Sequence, residues 1–245
     1  MEKFHTAEPT LGIRTRQTPK RIMPTRQLEL SLLAELSLHQ PNAILAGVDE
    51  VGRGALAGPV SVGIALINIA TTDEFPEKLR DSKQLSPSVR EALMIPIRQW
   101  VLAGAVGSAT AAEIDQHGIM AGLRIAAADA VNKLGTAGYQ IDGVLLDGSH
   151  NWWVGRDLFA PETQLPDVPV RTVVKGDAQC AVIAAASVLA KVERDHYMEK
   201  ISPKYPHYDW GRNKGYASVR HIAGLREFGP CEFHRTSWKL PGVAK

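Results

Sequence analysis

Ala46-Gly47-Val48-Asp49-Glu50-Val51-Gly52-Arg53-Gly54 opens in a short apolar run, residues 44–48, that reads as a strand, and it sets two adjacent carboxylates at that strand's end. A basic residue between two glycines follows at once. Acids able to hold a cation, beside a backbone that can come close to a ligand, point to phosphate chemistry.

Gly58-Pro59 is too short a link for a helical crossover, so residues 60–69 are predicted to form a second strand antiparallel to the first. Residues 101–108 read as a third. Both runs are mostly apolar and carry glycine and β-branched residues, so both are expected to lie centrally in a sheet. Ser86-Pro87 suits an N-cap followed by proline at the first helical position. The alanine-rich residues 111–134 read as helix with a break at Gly118. Residues 144–146 form a short strand ending at Asp147, and residues 170–174 another ending near Lys175-Gly176-Asp177. Residues 178–200 read as one long helix, with helical segments again over 216–228, and a short helix over 28–38 precedes the first strand. The order predicts an α/β domain, a mixed sheet covered by helices. Residues 151–169, with two tryptophans and three prolines, read as an excursion from the core. Trp152, Trp153 and Trp238 are expected to be surface-anchored packing residues.

A chain of 245 residues holds one large domain, or one domain and a smaller lobe, and 44% apolar residues suffice for a sizeable core. The net charge of +2 excludes a strongly basic coat. The basic residues are unevenly placed, however. Arg14, Arg16, Lys20, Arg21 and Arg26 come with no acid between them, and residues 191–245 hold eleven Lys or Arg against six Asp or Glu. Such a bias suits a cleft that binds a polyanion and equally a solvated face. Two cysteines exclude a disulfide framework, and Cys180 reads as a small buried hydrophobe. No secretory signal is evident and no run reaches the about 18 apolar residues of a membrane span. A soluble cytoplasmic monomer is expected.

The candidate catalytic and metal-ligating residues are Asp49, Glu50, Asp147 and Asp177, supplied by three strand ends. Singly, each reads as well as a turn residue or a helix cap. Together they repel, and a divalent cation removes that cost. Mg²⁺ or Mn²⁺ suits hard oxygen ligands, and two such ions about 4 Å apart can serve phosphodiester hydrolysis. There is no cysteine-rich zinc pattern and no His-Glu-x-x-His.

Candidate substrate contacts surround these acids. The backbone of Gly52, Arg53 and Gly54 can approach a sugar and read a ribose 2′-hydroxyl, and Arg53 can hold a phosphate. Ser82 and Lys83 offer a hydroxyl and an ammonium to phosphate oxygens, and Lys175 a second ammonium. Tyr216, on a basic loop, reads either as a platform for a sugar or base or as a packing residue. His221 and His234 read as acid–base groups or as structural histidines, and Ser187 as a small residue that lets its helix pack closely.

These segments, with Ala57-Gly58-Pro59-Val60, Asp81-Ser82-Lys83-Gln84-Leu85, Leu146-Asp147-Gly148, Val174-Lys175-Gly176-Asp177, the run from Ile183 to Asp195, Lys214-Gly215-Tyr216, His221, Gly229-Pro230 and His234-Arg235, closely resemble ribonuclease HII, the prokaryotic type 2 ribonuclease H. The resemblance spans about residues 27–238. It implies a ribonuclease H-like mixed five-stranded sheet flanked by helices, with a C-terminal helical lobe. The implied organisation is a flexible basic extension over residues 1–26, a catalytic domain over 27–200, and a lobe over 201–245 that completes the substrate cleft. The implied activity is endonucleolytic hydrolysis of the RNA strand of an RNA–DNA hybrid. It includes cutting on the 5′ side of a single ribonucleotide in duplex DNA, leaving 3′-hydroxyl and 5′-phosphate ends, with Mg²⁺ or Mn²⁺ as cofactor.

The family's catalytic acids fall on Asp49, Glu50, Asp147 and Asp177, its 2′-hydroxyl-sensing tripeptide on Gly52, Arg53 and Gly54, and its junction tyrosine on Tyr216. By this resemblance Asp49 serves both metals, Glu50 and Asp147 one, and Asp177 the other. The chain departs from the pattern between Asp147 and Asp177, where residues 151–165 look inserted. Rival readings are the type 3 ribonuclease H, for which 48 residues before Asp49 leave too little room for its extra domain, a DNA nuclease or resolvase of the same fold, and a noncatalytic nucleic-acid-binding module.

Overall fold

The computed structural model describes residues 23–155 and 164–243. Strands Leu45–Val51 (β1) and Val60–Ile67 (β2) pair antiparallel across the Gly58 turn, from Leu45↔Ile67 to Val51↔Ser61, as the short link requires. β2 pairs antiparallel with Ala103–Ala109 (β3). Gly143–Asp147 (β4) lies parallel to β1 and Val170–Val173 (β5) parallel to β4, so the sheet order is β3-β2-β1-β4-β5. β2 is buried throughout, as expected of a central strand, but β3 is not central. It lies at the edge, and only Val106, Gly107 and Ala109 are buried in it.

β1 also runs further than its apolar run suggests. The parallel ladder to β4 ends at Val48↔Leu146, while the antiparallel ladder to β2 carries on to Val51. Asp49 and Glu50 therefore sit inside a strand, opposite Gly63 and Val62, with side chains on opposite faces of the sheet.

Helices cover both faces. Leu45, Ala65, Ile67 and Leu145 pack against Ala181–Ile201 (α5) and Pro87–Trp100 (α2). Ala46, Val48, Val62, Ile64 and Leu146 pack against Ala111–Thr136 (α3), which is kinked at Gly118 (φ 80°) as expected. α2 begins at Ser86-Pro87, whose hydroxyl accepts from Val89 N–H. A third cluster joins Leu56, Ala57 and Met198 of α5 to Tyr208, Trp210, Leu225 and Leu240, around the short helices Trp210–Asn213 (α6) and Val219–Phe228 (α7).

α5 lies closer to the sheet than ordinary side chains permit. A Cβ on Gly63 would stand 2.3 Å from the Ala186 carbonyl oxygen, so the strand needs glycine there and the helix needs its run of small residues. The N-terminus of α5 is capped from elsewhere. Glu29 on Gln27–Ser37 (α1) accepts the Val182 N–H at 2.8 Å, whereas Cys180, the helix's own N-cap, gives no side-chain bond.

Several expectations are corrected. The helix over 178–200 is two: Gly176–Gln179 (α4), then extended backbone at Cys180 (φ −114°, ψ 124°), then α5. The break exists because residues 179–181 pair with Thr25, whose N–H donates to Gln179 O at 2.8 Å. Trp152 and Trp153 are buried in the core on the α3 face, so the segment that carries them is tied to the sheet at its start. Arg26 is also buried and ion-paired with Glu29 at 3.1 Å and Asp73 at 2.8 Å. Arg14, Arg16, Lys20 and Arg21 lie outside the described residues, as does part of the 151–165 stretch. No helix among the described residues is long and apolar enough to cross a membrane.

Candidate active site

The alternation along β1 sorts the acids. Leu45 and Val51 face α5, Ala46 and Val48 face α3, and so Asp49 turns to α5 and Glu50 to α3. Asp147, at the end of the neighbouring parallel strand β4, and Asp177, in the first turn of α4, join Asp49. Their carboxylate oxygens lie within 4.8 Å of one another. Lys175 makes this possible by taking the left-handed conformation (φ 55°) before α4. The turn directs the Gly176 N–H onto Asp147 Oδ1 at 2.6 Å and swings Asp177 inward. Glu50 stands apart from this trio, and its Oε1 accepts from Arg53 Nη1 at 3.3 Å.

The trio carries more negative charge than its surroundings balance. Burial, then the charge of Asp147, holds the Asp49 carboxyl well above its ordinary range, against the opposing charge of Lys83. Burial, then Asp147 and Asp81, pushes Asp177 up to about 6. Burial also raises Glu50, against the opposing charge of Arg53. Lys83 Nζ lies 3.4 Å from Asp177 Oδ2. Burial would lower the Lys83 ammonium, but Asp49, Asp177 and Asp81 outweigh it and raise it. Three hard oxygen donors at one point, with Asp49 and Asp177 raised in affinity for protons, form a site that can hold a divalent cation.

The loop that follows β1 is held by two buried guanidiniums. Arg235 donates to the carbonyls of Gly52 (2.7 Å), Arg53 (2.8 Å) and Gly58 (3.1 Å). Arg194, on α5, donates to Pro59 O (2.8 Å), Ala57 O (3.2 Å) and Lys214 O (2.9 Å). Since N–H and C=O point oppositely in a trans peptide, drawing the Gly52 and Arg53 carbonyls onto Arg235 turns the Arg53 and Gly54 N–H groups away from it. Gly52 takes φ 82°, and an added Cβ would strike the Arg194 side chain at 2.1 Å. Around Gly54 that position is open space. The Tyr216 hydroxyl accepts the Gly52 N–H at 3.1 Å, and its ring lies 5.6 Å from the Arg194 guanidinium.

The remaining expected contacts divide. Lys83 and Lys175 are exposed near the acids. Ser82 is buried and accepts from Ser187 Oγ at 2.8 Å, so it holds its loop against α5 and presents no hydroxyl to solvent. Arg90, ion-paired to Asp195, fixes the same loop through the carbonyls of Ser82 and Leu85. His221 and His234 are buried and bonded to each other, away from the acids. Arg194 and Arg235 were quoted in the sequence without a role. Their local signal is that of any arginine near a helix or turn, and their hold on the 52–59 loop arises from contacts more than 130 residues away in the chain.

With this geometry in hand, comparison with known proteins gives a consistent result. The family model described as Ribonuclease HII matches residues 46–241. Ribonuclease HII of Streptomyces coelicolor is 43% identical over 215 residues, covering 88% of this chain and 83% of its own. That of Nitrosococcus oceani is 42% identical over 196 residues, 80% of this chain and 88% of its own. The crystal structure of ribonuclease H2 from Pyrococcus horikoshii superposes with a TM-score of 0.60 at 26% identity, covering 80% of this chain and 94% of that one, so the mixed sheet with its flanking helices is the ribonuclease H-like fold. By model, by relatives and by fold, the chain belongs to the ribonuclease HII family.

Proposed function

We propose that this protein is a divalent-cation-dependent endoribonuclease that hydrolyses the RNA strand of RNA–DNA hybrids. We include in that activity cutting on the 5′ side of a single ribonucleotide in duplex DNA, leaving 3′-hydroxyl and 5′-phosphate ends. The observation that carries the reading is the meeting of Asp49, Asp147 and Asp177 within 4.8 Å, beside a loop whose Gly52 and Arg53 carbonyls are clamped by Arg235. Asp49, Asp147 and Asp177 would hold Mg²⁺ or Mn²⁺, with Glu50 next to Asp49 on β1. A bound ion pair of this kind supplies charge neutralisation at the phosphate and a more acidic water.

The chain's own residues supply the rest. Lys83, kept protonated by the surrounding acids, and Lys175 attract the phosphate backbone. The outward N–H groups of Arg53 and Gly54 read the 2′-hydroxyl, which favours a ribose at the scissile position. Tyr216, 38% exposed and fixed by Gly52, stacks on the sugar that follows.

The test is cleavage of a DNA duplex with one ribonucleotide, beside an all-DNA duplex and a long RNA–DNA hybrid, with Mg²⁺ and then Mn²⁺. One cut on the 5′ side of the ribonucleotide, with all-DNA intact, is expected. Cutting of the long hybrid alone would favour a type 3-like specificity, cutting of all-DNA a nuclease or resolvase, and no cutting a binding module. Asp49→Asn should abolish turnover while hybrid binding persists, and parallel loss of binding would count against a ligand role for Asp49.

A further inference from the structure

Behind Tyr216 lies a polar chain that the reading above does not use. The Cys231 N–H meets His234 Nδ1 at 3.0 Å, His234 Nε2 meets His221 Nε2 at 3.0 Å, and His221 Nδ1 meets the Tyr216 carbonyl at 3.0 Å. Trp210 Nε1–H reaches the same His221 Nε2 at 3.1 Å. Both rings are buried, among Tyr208, Trp210 and each other.

Each link has only one possible direction. A peptide N–H can only donate, so His234 Nδ1 accepts and its proton sits on Nε2. An indole N–H can only donate, so His221 Nε2 accepts, its one lone pair shared between Trp210 and His234. His221 then carries its proton on Nδ1 and donates it to the Tyr216 carbonyl, which can only accept. The outcome is two neutral imidazoles with every ring nitrogen satisfied and no alternative tautomer that keeps all the bonds.

We propose that the His221–His234 pair is a positioning element for Tyr216: a one-way chain of hydrogen bonds, anchored at Cys231 and Trp210, that grips the Tyr216 carbonyl and so sets its hydroxyl against Gly52. Tyr216 N–H is held separately by Asn213 O at 2.9 Å, so the His221 bond is the one that ties this residue to the C-terminal turn. The inference rests on the assignment of Gly52, Arg53, Gly54 and Tyr216 to ribose recognition. It adds two residues that touch neither substrate nor metal yet determine how sharply the junction is read.

Nitrogen-15 NMR of the full chain with labelled histidine tests the chain directly. His221 is expected as the Nδ1–H tautomer and His234 as Nε2–H, and the reverse for either would overturn the proposal. His234→Leu removes the donor, whereas His234→Gln returns an N–H near Nε2. His234→Leu should shift the Gly52 amide resonance and lower the rate at a single-ribonucleotide junction, relative to the rate within a long hybrid, about tenfold. His234→Gln should restore most of both, and the Mg²⁺ concentration for half-maximal rate should not move in either.

A folded His234→Leu protein with an unshifted Gly52 amide and unchanged junction preference would overturn the inference while the endonuclease reading stood. If the natural chain cut no ribonucleotide-containing duplex, yet the tautomers and the Gly52 response were as described, the endonuclease reading would fall and the positioning of Tyr216 would stand. Should His234→Leu fail to fold, the tautomers and the His234→Gln protein decide alone.

Discussion

Asp177→Asn is expected to make the metal-free protein more stable at neutral pH while destroying its cation site. Asp177 rises from its ordinary 3.8 to about 6 on folding, chiefly through burial and then the charge of Asp147. At about 1.4 kcal/mol per unit, that gap corresponds to about 3 kcal/mol. Because the folded pKa lies above the unfolded one, the contribution of Asp177 to stability is fully present below 3.8 and is lost as pH rises through about 6. Asparagine keeps the shape and has no charge to bury, and Lys83, the cation it leaves behind, is 70% exposed and loses little. For a chain of this size the gain corresponds to about 6–12 °C in melting temperature at pH 7.5. The assay is thermal and urea unfolding in EDTA from pH 4 to 8, repeated with Mg²⁺ or Mn²⁺. The difference between variant and natural chain should grow from near zero at pH 4 to its full value above pH 7. Added metal should stabilise the natural chain and leave the variant almost unmoved. A pH-independent difference, or equal stabilisation of both by metal, would refute the argument that uncompensated charge at the trio is what a cation relieves.

Three further outcomes concern the frame. Arg235→Met should cost about 3 kcal/mol or more in urea unfolding, because it strips the Arg53 and Gly58 carbonyls of the guanidinium and leaves the Gly52 carbonyl only the Ala55 N–H, and a loss under about 1 kcal/mol would show that water replaces the guanidinium. Glu29→Gln should flatten the pH dependence of stability. The Glu29 carboxyl is raised from 4.5 to about 7, mainly by burial, so its contribution is present below 4.5 and lost as pH rises through about 7, and the variant should gain on the natural chain between pH 5 and 8. Gly63→Ala should destabilise by about 1–3 kcal/mol or more, since its Cβ would meet the Ala186 carbonyl at 2.3 Å, and an unchanged urea midpoint would show that α5 can withdraw from the sheet.

What could be read in the sequence was local or periodic. The Gly58-Pro59 link set the antiparallel pair, Ser86-Pro87 the start of α2, and Gly118 the break in α3. Asp147 was legible because β4 ends at it; Asp177 was expected at a strand end too, but β5 stops at Val173 and Asp177 lies in the first turn of α4. The split between Asp49 and Glu50 follows from the period of two, but only once the strand is known to run to Val51, and that depends on β2 continuing beside it. Cys180 gives no local sign of breaking a helix, since its partner, Thr25, lies 155 residues earlier. Ser187 looked like a packing residue, and only the approach of the 81–85 loop makes it a donor to Ser82. Arg194 and Arg235 resemble surface arginines because carbonyl oxygens, not carboxylates, accept their N–H groups, and carbonyls leave no trace in the side-chain pattern.

The wide separation of the two halves of the Gly52–Gly58 clamp bears on how the protein is born. All three acids of the trio have been synthesised by Asp177, and the sheet that carries them by Val173. Arg194 follows, then Tyr216, and then Arg235. A chain emerging from the ribosome therefore possesses its acids well before the groups that shape the loop beside them, so the acid trio and the clamp are supplied at different times. A premature stop between Asp177 and Arg194 would yield a species with every acid of the trio and neither guanidinium of the clamp, and one between Arg194 and Arg235 would leave the Gly52 and Arg53 carbonyls without theirs.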